Sequence, residues 1–376
     1  MTAQKTYLVI NAGSSSIKYA LYDAKDLSQL EKKTVEIKGG DYDTAFGDIL
    51  SLIGEKNVVG IAHRVVHGGR DYAAPQRINA QVLSDLEALT PLAPLHQPHN
   101  TKPIALVMQK YPDLPQVACF DTAFHRTQPK RSEIYALPRA LTDEGILRYG
   151  FHGSSYEYIA SVLPDVAGDA AKGKFVVAHL GNGSSMCAME NGKSIATTMG
   201  FTPLDGLMMG TRTGAIDPGV VLHLIEQKGL SAKEISDIFN KQSGLKGVSG
   251  ISGDMRELLA SKDPKAAEAV DLFCLYAARN IAALSVDMGG LDGIVFTAGI
   301  GENSAVIRKK ICANLAHMGV FVDTATNDAN ASSIHAENSA VKIFVIKTNE
   351  EKMMARHIAA AVNADSPSAK IPAARR

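Results

Sequence analysis

The chain reads as an α/β protein built from two related lobes, and three observations carry that reading. Its 376 residues, 45% hydrophobic and 21% charged, suit two domains or three at about 150 residues each. Apolar runs of strand length alternate with segments of helical spacing. A strand, small-residue turn, strand pattern at residues 7–22 returns about 170 residues later, at residues 175–189.

In chain order, residues 7–10 predict a strand, NAGSSS (11–16) a turn, and residues 17–22 a second strand closed by Asp23. Residues 58–66 and 116–120 predict strands, and 79–89 and 100–110 helices. The second hairpin spans 175–180, a turn over 181–185 and a strand over 186–189, with Asn191 and Gly192 leading to a third short strand. Asp217 followed by Pro218 is a helix start, with Val220, Val221, Leu224 and Ile225 on one face. Residues 265–288 predict a long helix, with an apolar stripe that suits a core better than an interface. Residues 291–297 predict a buried strand, AGIGEN (298–303) a turn opening a helix over 304–318, 341–346 a strand, and 350–362 a closing helix. The tail from Asp365 reads as frayed.

Composition excludes several function classes. With 39 basic and 39 acidic side chains there is no overall positive field for nucleic acid or anionic lipid. No apolar run looks long enough to span a bilayer, and the start of the chain lacks a signal-peptide pattern. Cys119, Cys187, Cys274 and Cys312 stand apart, which suits a reduced cytoplasm.

Candidate chemistry gathers at turns. The turns at 11–16, 179–185 and 299–303 can each present backbone N–H groups to an anion, because small residues allow close approach. Lys18 follows the first and can neutralise a phosphate; a single turn of this type is more often only a turn, but three occur in this chain. The segment GDAAKGK (168–174) approaches a P-loop but ends in Phe175, and there is no G-x-G-x-x-G, so a nucleotide would need another scaffold. Arg64 in HRVVHGG (63–69) and Arg212 in GTRTG (210–214) sit beside glycines, where a guanidinium can meet a small anion or simply stay solvated. Asp121 ends a strand, as a site carboxylate or a helix cap. His152 in YGFHGSS (149–155) is a donor to a transferring group or a histidine satisfied in the fold. Glu350 can hold Mg²⁺ or favour the last helix's N-terminus. His96 and His99 lack a third ligand at zinc spacing.

Together these motifs, with FDTAFH (120–125), HLGNG (179–183), GLMMGTR (206–212) and TNE (348–350), resemble the acetate and propionate kinase family, over residues 7–359. The resemblance implies a duplicated ribonuclease-H-like, actin-like ATPase core with two lobes around a central cleft. An N-terminal lobe over 1–150 would be rejoined by the C-terminal helix at about 350–376, and a nucleotide-binding lobe would span 151–349. It further implies reversible phosphorylation of acetate by ATP, giving acetyl phosphate and ADP, in a cytoplasmic homodimer without nucleic-acid or membrane partners. Propionate and butyrate kinases are the nearest alternatives, and a nucleotide-gated switch of the chaperone or actin kind a distant one.

By the same resemblance Asn11 and Glu350 hold Mg²⁺, with Mn²⁺ as a substitute, and Lys18 contacts nucleotide phosphate. The nucleotide segments are His179, Leu180, Gly181, Asn182 and Gly183; Asp254, Met255 and Arg256; and Gly299, Ile300, Gly301, Glu302 and Asn303. Arg64 pairs with the substrate carboxylate, Asp121 is the acid/base residue, and His152 and Arg212 stabilise the transition state. Val66, Leu95, Phe151 and Pro203 line the acyl pocket. A carboxylate is already nucleophilic, so Asp121 is expected to orient a partner more than to remove a proton. The sequence departs from the family pattern at Tyr156, Ala215 and Gly253.

Overall fold

A computed structural model describes residues 4–37, 42–94 and 96–364. The chain divides into two compact units, one of Met1–Phe124, Gly153–Tyr158 and Asn349–Arg376, the other of His125–His152 and Ile159–Thr348.

The first unit holds a six-stranded sheet of β1 (Thr6–Ala12), β2 (Ser16–Asp23), β3 (Gln29–Glu36), β4 (Val58–Val65), β5 (Gln76–Arg77) and β6 (Gln116–Phe120), in the order β3-β2-β1-β4-β6-β5. β1, β2 and β3 pair antiparallel, and β1, β4 and β6 pair parallel. Successive side chains of a strand point to opposite faces, and both faces of β1 are covered. Leu8 and Ile10 pack with Phe46, Ile49 and Ile53 of the helix Tyr42–Glu55. Tyr7 and Val9 pack with Met354, Ala355 and Ile358 of the helix Glu350–Ala364. Gly60 on β4 lets that last helix come close, since a Cβ there would stand 2.8 Å from Ile358. β3 was not foreseen, because its QLEKKTVE reads as charged and its side chains are mostly exposed at a sheet edge, where charge discourages further pairing.

The second unit holds β7 (Lys174–Leu180), β8 (Ser184–Glu190), β9 (Lys193–Thr197), β10 (Gly293–Thr297) and β11 (Lys342–Val345), in the order β11-β10-β7-β8-β9. Here β7, β8 and β9 pair antiparallel and β7, β10 and β11 parallel, as β1–β3 and β1, β4 and β6 do in the first sheet, which adds the antiparallel β5 at its edge. Its core forms around the helix Pro264–Met288, whose buried residues from Ala266 to Met288 recur every three or four positions. Asp263 caps its start, Pro264 takes the first turn, and Gly289 in the left-handed region (φ 65°) ends it. By length and composition this helix, alone among the described residues, is long and apolar enough to cross a membrane, yet its apolar stripe is part of the unit's core.

The unit boundaries differ from the 1–150 and 151–349 division expected from the sequence. Residues 125–152 join the second unit because His125 Nδ1 meets Ser194 Oγ (2.9 Å) and Arg148 bonds Thr198 O (3.1 Å) and Asp205 (2.9 Å). Residues 153–158 stay with the first, where Gly153 N donates to Asp121 O (2.8 Å) and Tyr156 lies on Phe124. A Cβ at Gly153 would sit 2.3 Å from that same carbonyl, so only glycine permits the approach. AGIGEN is not a turn but the helix Ala298–Asn303, followed by the helix Ala305–Ala313. The apolar face of the helix Pro218–Glu226 is exposed, with Leu222 at 56%.

Candidate active site

In the first unit the parallel strands end at a charged cluster. Arg64, near the end of β4, donates from Nε to Asp121 Oδ1 (2.9 Å) and from Nη2 to Oδ2 (2.5 Å), a two-pronged fork on a carboxylate just beyond β6. Its Nη1 reaches Asn11 Oδ1 on β1 at 3.2 Å. Asn100, in the helix Gln97–Lys110, holds two of these strand ends together, accepting from Val66 N (2.9 Å) and donating to Ala12 O (2.9 Å). Sequence reasoning missed Asn100, and no local pattern marks it.

Burial alone would lower the Arg64 guanidinium, but the charge and hydrogen bonds of Asp121, then Glu350 and Glu351, lift it above its ordinary value. Burial also acts on Glu350, raising it to about 7 against the pull of Arg64, with Asp121 and Glu351 pushing the same way as burial. Oxygen donors of an amide and of acidic side chains suit a hard divalent cation, which takes one or two protein carboxylates and completes its shell with water and phosphate. Among the described residues no group of three or more His, Cys, Asp or Glu forms a metal cage. Lys18 pairs across from Asn11 in the β1–β2 ladder and is exposed. Val66 is buried in this unit, and Leu95 lies outside the described residues.

In the second unit His152 stands in the left-handed region (φ 59°) at the start of the helix Gly153–Ala167. Such a backbone costs on the order of 1 kcal/mol or more and persists where surroundings fix it. Here its Nδ1 meets Ser185 Oγ at 2.8 Å and its ring stacks on His179, centroids 4.2 Å apart. A Cβ built on Gly183 would stand 3.5 Å from His152 Nε2 and 3.8 Å from Arg212 Nη1, so both side chains border one turn. Arg212 also donates to Pro203 O (3.2 Å). Phe151 is fully buried in this unit.

The same turn opens on a cavity of about 850 Å³ lined by Gly181, Asn182, Asp254, Met255, Arg256, Gly299, Ile300 and Asn303, the size class of ligand pockets. Gly253, Leu259, Ala260 and Ser304 also line it and were not foreseen. Arg256 forks onto Asp254 (2.6 and 3.1 Å), and its side-chain and backbone hydrogen bonds pull that half-exposed carboxyl down to about 2. Gly210 N donates to Asn182 O (3.0 Å), and a Cβ there would come within 2.2 Å of Asn182 Oδ1.

Five of the expected nucleotide-segment residues do not line this cavity: His179 and Gly183 border His152, and three others face elsewhere. Leu180 is core, on the inward face of β7. Gly301 is buried beneath its helix, against Phe296 and Ala178. Glu302 turns its Oε1 back to Ala298 N (2.8 Å) and Thr348 N (3.0 Å), filling the N-terminal position that the sequence suggested for an anion.

Two sheets built alike, each with a central strand that pairs antiparallel with its hairpin partner on one side and parallel with a later strand on the other, define the duplicated ribonuclease-H-like core of the actin-like ATPases. The Acetokinase family profile matches residues 27–356. An acetate kinase of Rhodopseudomonas palustris is 49% identical, over 93% of this chain and 97% of that one. A propionate kinase structure from Francisella tularensis, 40% identical, superposes with a TM-score of 0.88 over 94% of this chain and 98% of the other. For acetate kinase from Porphyromonas gingivalis the values are 34% and 0.87, over 95% and 100%. The chain belongs to the acetokinase family.

Proposed function

We propose that this enzyme transfers the γ-phosphoryl group of ATP to acetate, reversibly, forming acetyl phosphate and ADP. The observation that carries the reading is the Arg64–Asp121 fork with Asn11 at the strand ends of the first unit, a preset anion and cation site. His152 and Arg212 beside the Gly183 turn, next to a nucleotide-sized cavity, support it from the second unit.

The acceptor oxygen of acetate attacks the γ-phosphorus, the bond to the bridging oxygen breaks, and ADP leaves with that electron pair. No proton need move at neutral pH, because acetate is ionised. Both Asp121 oxygens are occupied by Arg64, so Asp121 holds the guanidinium in the plane that receives the substrate carboxylate. His152, its ring fixed by Ser185 and His179, and Arg212 neutralise charge on the equatorial phosphoryl oxygens. Asn11 and Glu350 would hold Mg²⁺, which neutralises phosphate charge when bound. Gly181, Asn182, Asp254, Met255, Arg256, Gly299, Ile300 and Asn303 receive the nucleoside, Lys18 a phosphate, and Val66, Leu95, Phe151 and Pro203 the acyl group. The reading includes a cytoplasmic homodimer.

Trapping acyl phosphate with hydroxylamine tests this directly: acetate, ATP and Mg²⁺ should give acetyl hydroxamate. No hydroxamate from acetate, propionate or butyrate would overturn it. Likeness to a propionate kinase favours propionate as the second substrate. One methylene changes binding by only about 1–3 kcal/mol, so the two should overlap.

A further inference from the structure

The helix Ala298–Asn303 forms part of the cavity wall yet has little stability of its own. It is six residues long, carries two glycines, and starts from Ala298 in the left-handed region (φ 64°). Isolated helices of that length do not persist, glycine weakens them, and an alanine in that backbone region is strained. Something outside the segment must hold it.

Arg308, in the following helix, is completely buried and directs all its donors to neutral acceptors. Nη1 donates to the carbonyls of Gly301 (2.9 Å) and Glu302 (3.0 Å), which a short helix would otherwise leave to water. Nε reaches Asn327 Oδ1 (2.8 Å), and Nη2 reaches Asn327 O (2.8 Å) and Asn330 Oδ1 (2.6 Å). A guanidinium carries five N–H donors, and five contacts are made; none of these acceptors is a carboxylate. Gly299, Ile300 and Asn303 face the cavity while Gly301 and Glu302 face the arginine, so one short helix is gripped behind and open in front.

We propose that Arg308 is a positioning residue for the nucleotide, clamping the Ala298–Asn303 helix to the Asn327–Asn330 segment so that the cavity wall is preformed. This rests on the nucleotide reading of that cavity. A planar fork is needed, because an ammonium has three donors and cannot span acceptors on both sides.

The test is calorimetric titration of the full chain with ADP, alongside steady-state kinetics. Arg308→Lys should weaken ADP binding and raise the KM for ATP by about tenfold or more, while kcat and the KM for acetate stay within about threefold. A folded Arg308→Lys enzyme that binds ADP like wild type overturns the proposal, as do equal rises in both KM values. Should Arg308→Lys not fold, Asn330→Gly decides. It deletes one exposed acceptor at a left-handed position (φ 51°) where glycine is at ease, and should weaken ADP about two- to fourfold. Unchanged affinity there overturns the clamp. Wild-type protein that fails to bind ADP would overturn the nucleotide reading itself, and the clamp with it.

Discussion

The two units repeat one strand topology and use it for opposite electrostatic ends. In the first, the hairpin turn after β1 adjoins a charged cluster whose arginine is already paired with a buried carboxylate. In the second, the corresponding turn after β7 is bordered by histidines, glycines and an arginine that donates to a carbonyl oxygen, and opens on a cavity. Strand order therefore decides where a site can form, and side chains at strand ends decide whether it is an ion-paired cluster or an open wall.

That contrast is easiest to break at the arginines. Arg212→Ala should lower kcat about 10³-fold or more with the KM for acetate changed only a few-fold, since its charge acts on the transition state. Its melting temperature should fall less than that of the Arg64 variant, because the hydrogen bond from Arg212 to Pro203 O leaves a neutral carbonyl behind when it is lost. Arg64→Ala should behave otherwise. The KM for acetate should rise about 10²-fold, and stability should fall by about 3 kcal/mol or more, because Asp121 is left buried without its partner. Equal denaturant midpoints for the two variants would erase the distinction.

Glu350 sharpens the comparison through pH. Its carboxyl sits at about 7 in the folded protein against 4.5 for an ordinary glutamate, so the folded state holds a proton that the unfolded chain has released between those values. The resulting stability is complete below pH 4.5 and disappears as pH rises through 7. In chelator, wild type should lose at most about 1.4 kcal/mol per pH unit over that window, and Glu350→Gln should lose that contribution. Mg²⁺ affinity should follow the opposite course, rising towards pH 7, as a titration at fixed ionic strength would register. The smallest effect belongs to Gly210→Ala. Its Cβ would displace the exposed Asn182 side chain and press on the Gly253 carbonyl at 3.0 Å, which must give by a few tenths of an ångström, so ADP affinity should drop only a few-fold.

The repeated hairpin was legible because small residues between apolar runs mark a turn wherever they occur, and the long helix because its stripe and caps are local. Interactions between distant residues were not. Arg64 and Asp121 lie 57 positions apart, and nothing in either motif says that one occupies the other. Glu302 reads as a nucleotide contact within AGIGEN, but its carboxylate accepts from the backbone amides of Ala298 and of Thr348, the latter 46 positions on. Arg308 looks like an ordinary surface residue of an amphipathic helix; its burial depends on asparagines about 20 residues on.

The return of the last helix to the first sheet has a consequence for biosynthesis. Met354 and Ile358 cover Tyr7, Val9, Ala62 and Val117, so that sheet face lacks its lid until residues 350–358 have emerged from the ribosome. At the usual 5–20 residues per second, roughly 15–60 s separate the emergence of β4 from that of its cover. The nascent N-terminal half therefore exposes the apolar face of that sheet over this interval, and changes that disturb residues 350–358 should harm the part of the enzyme made first.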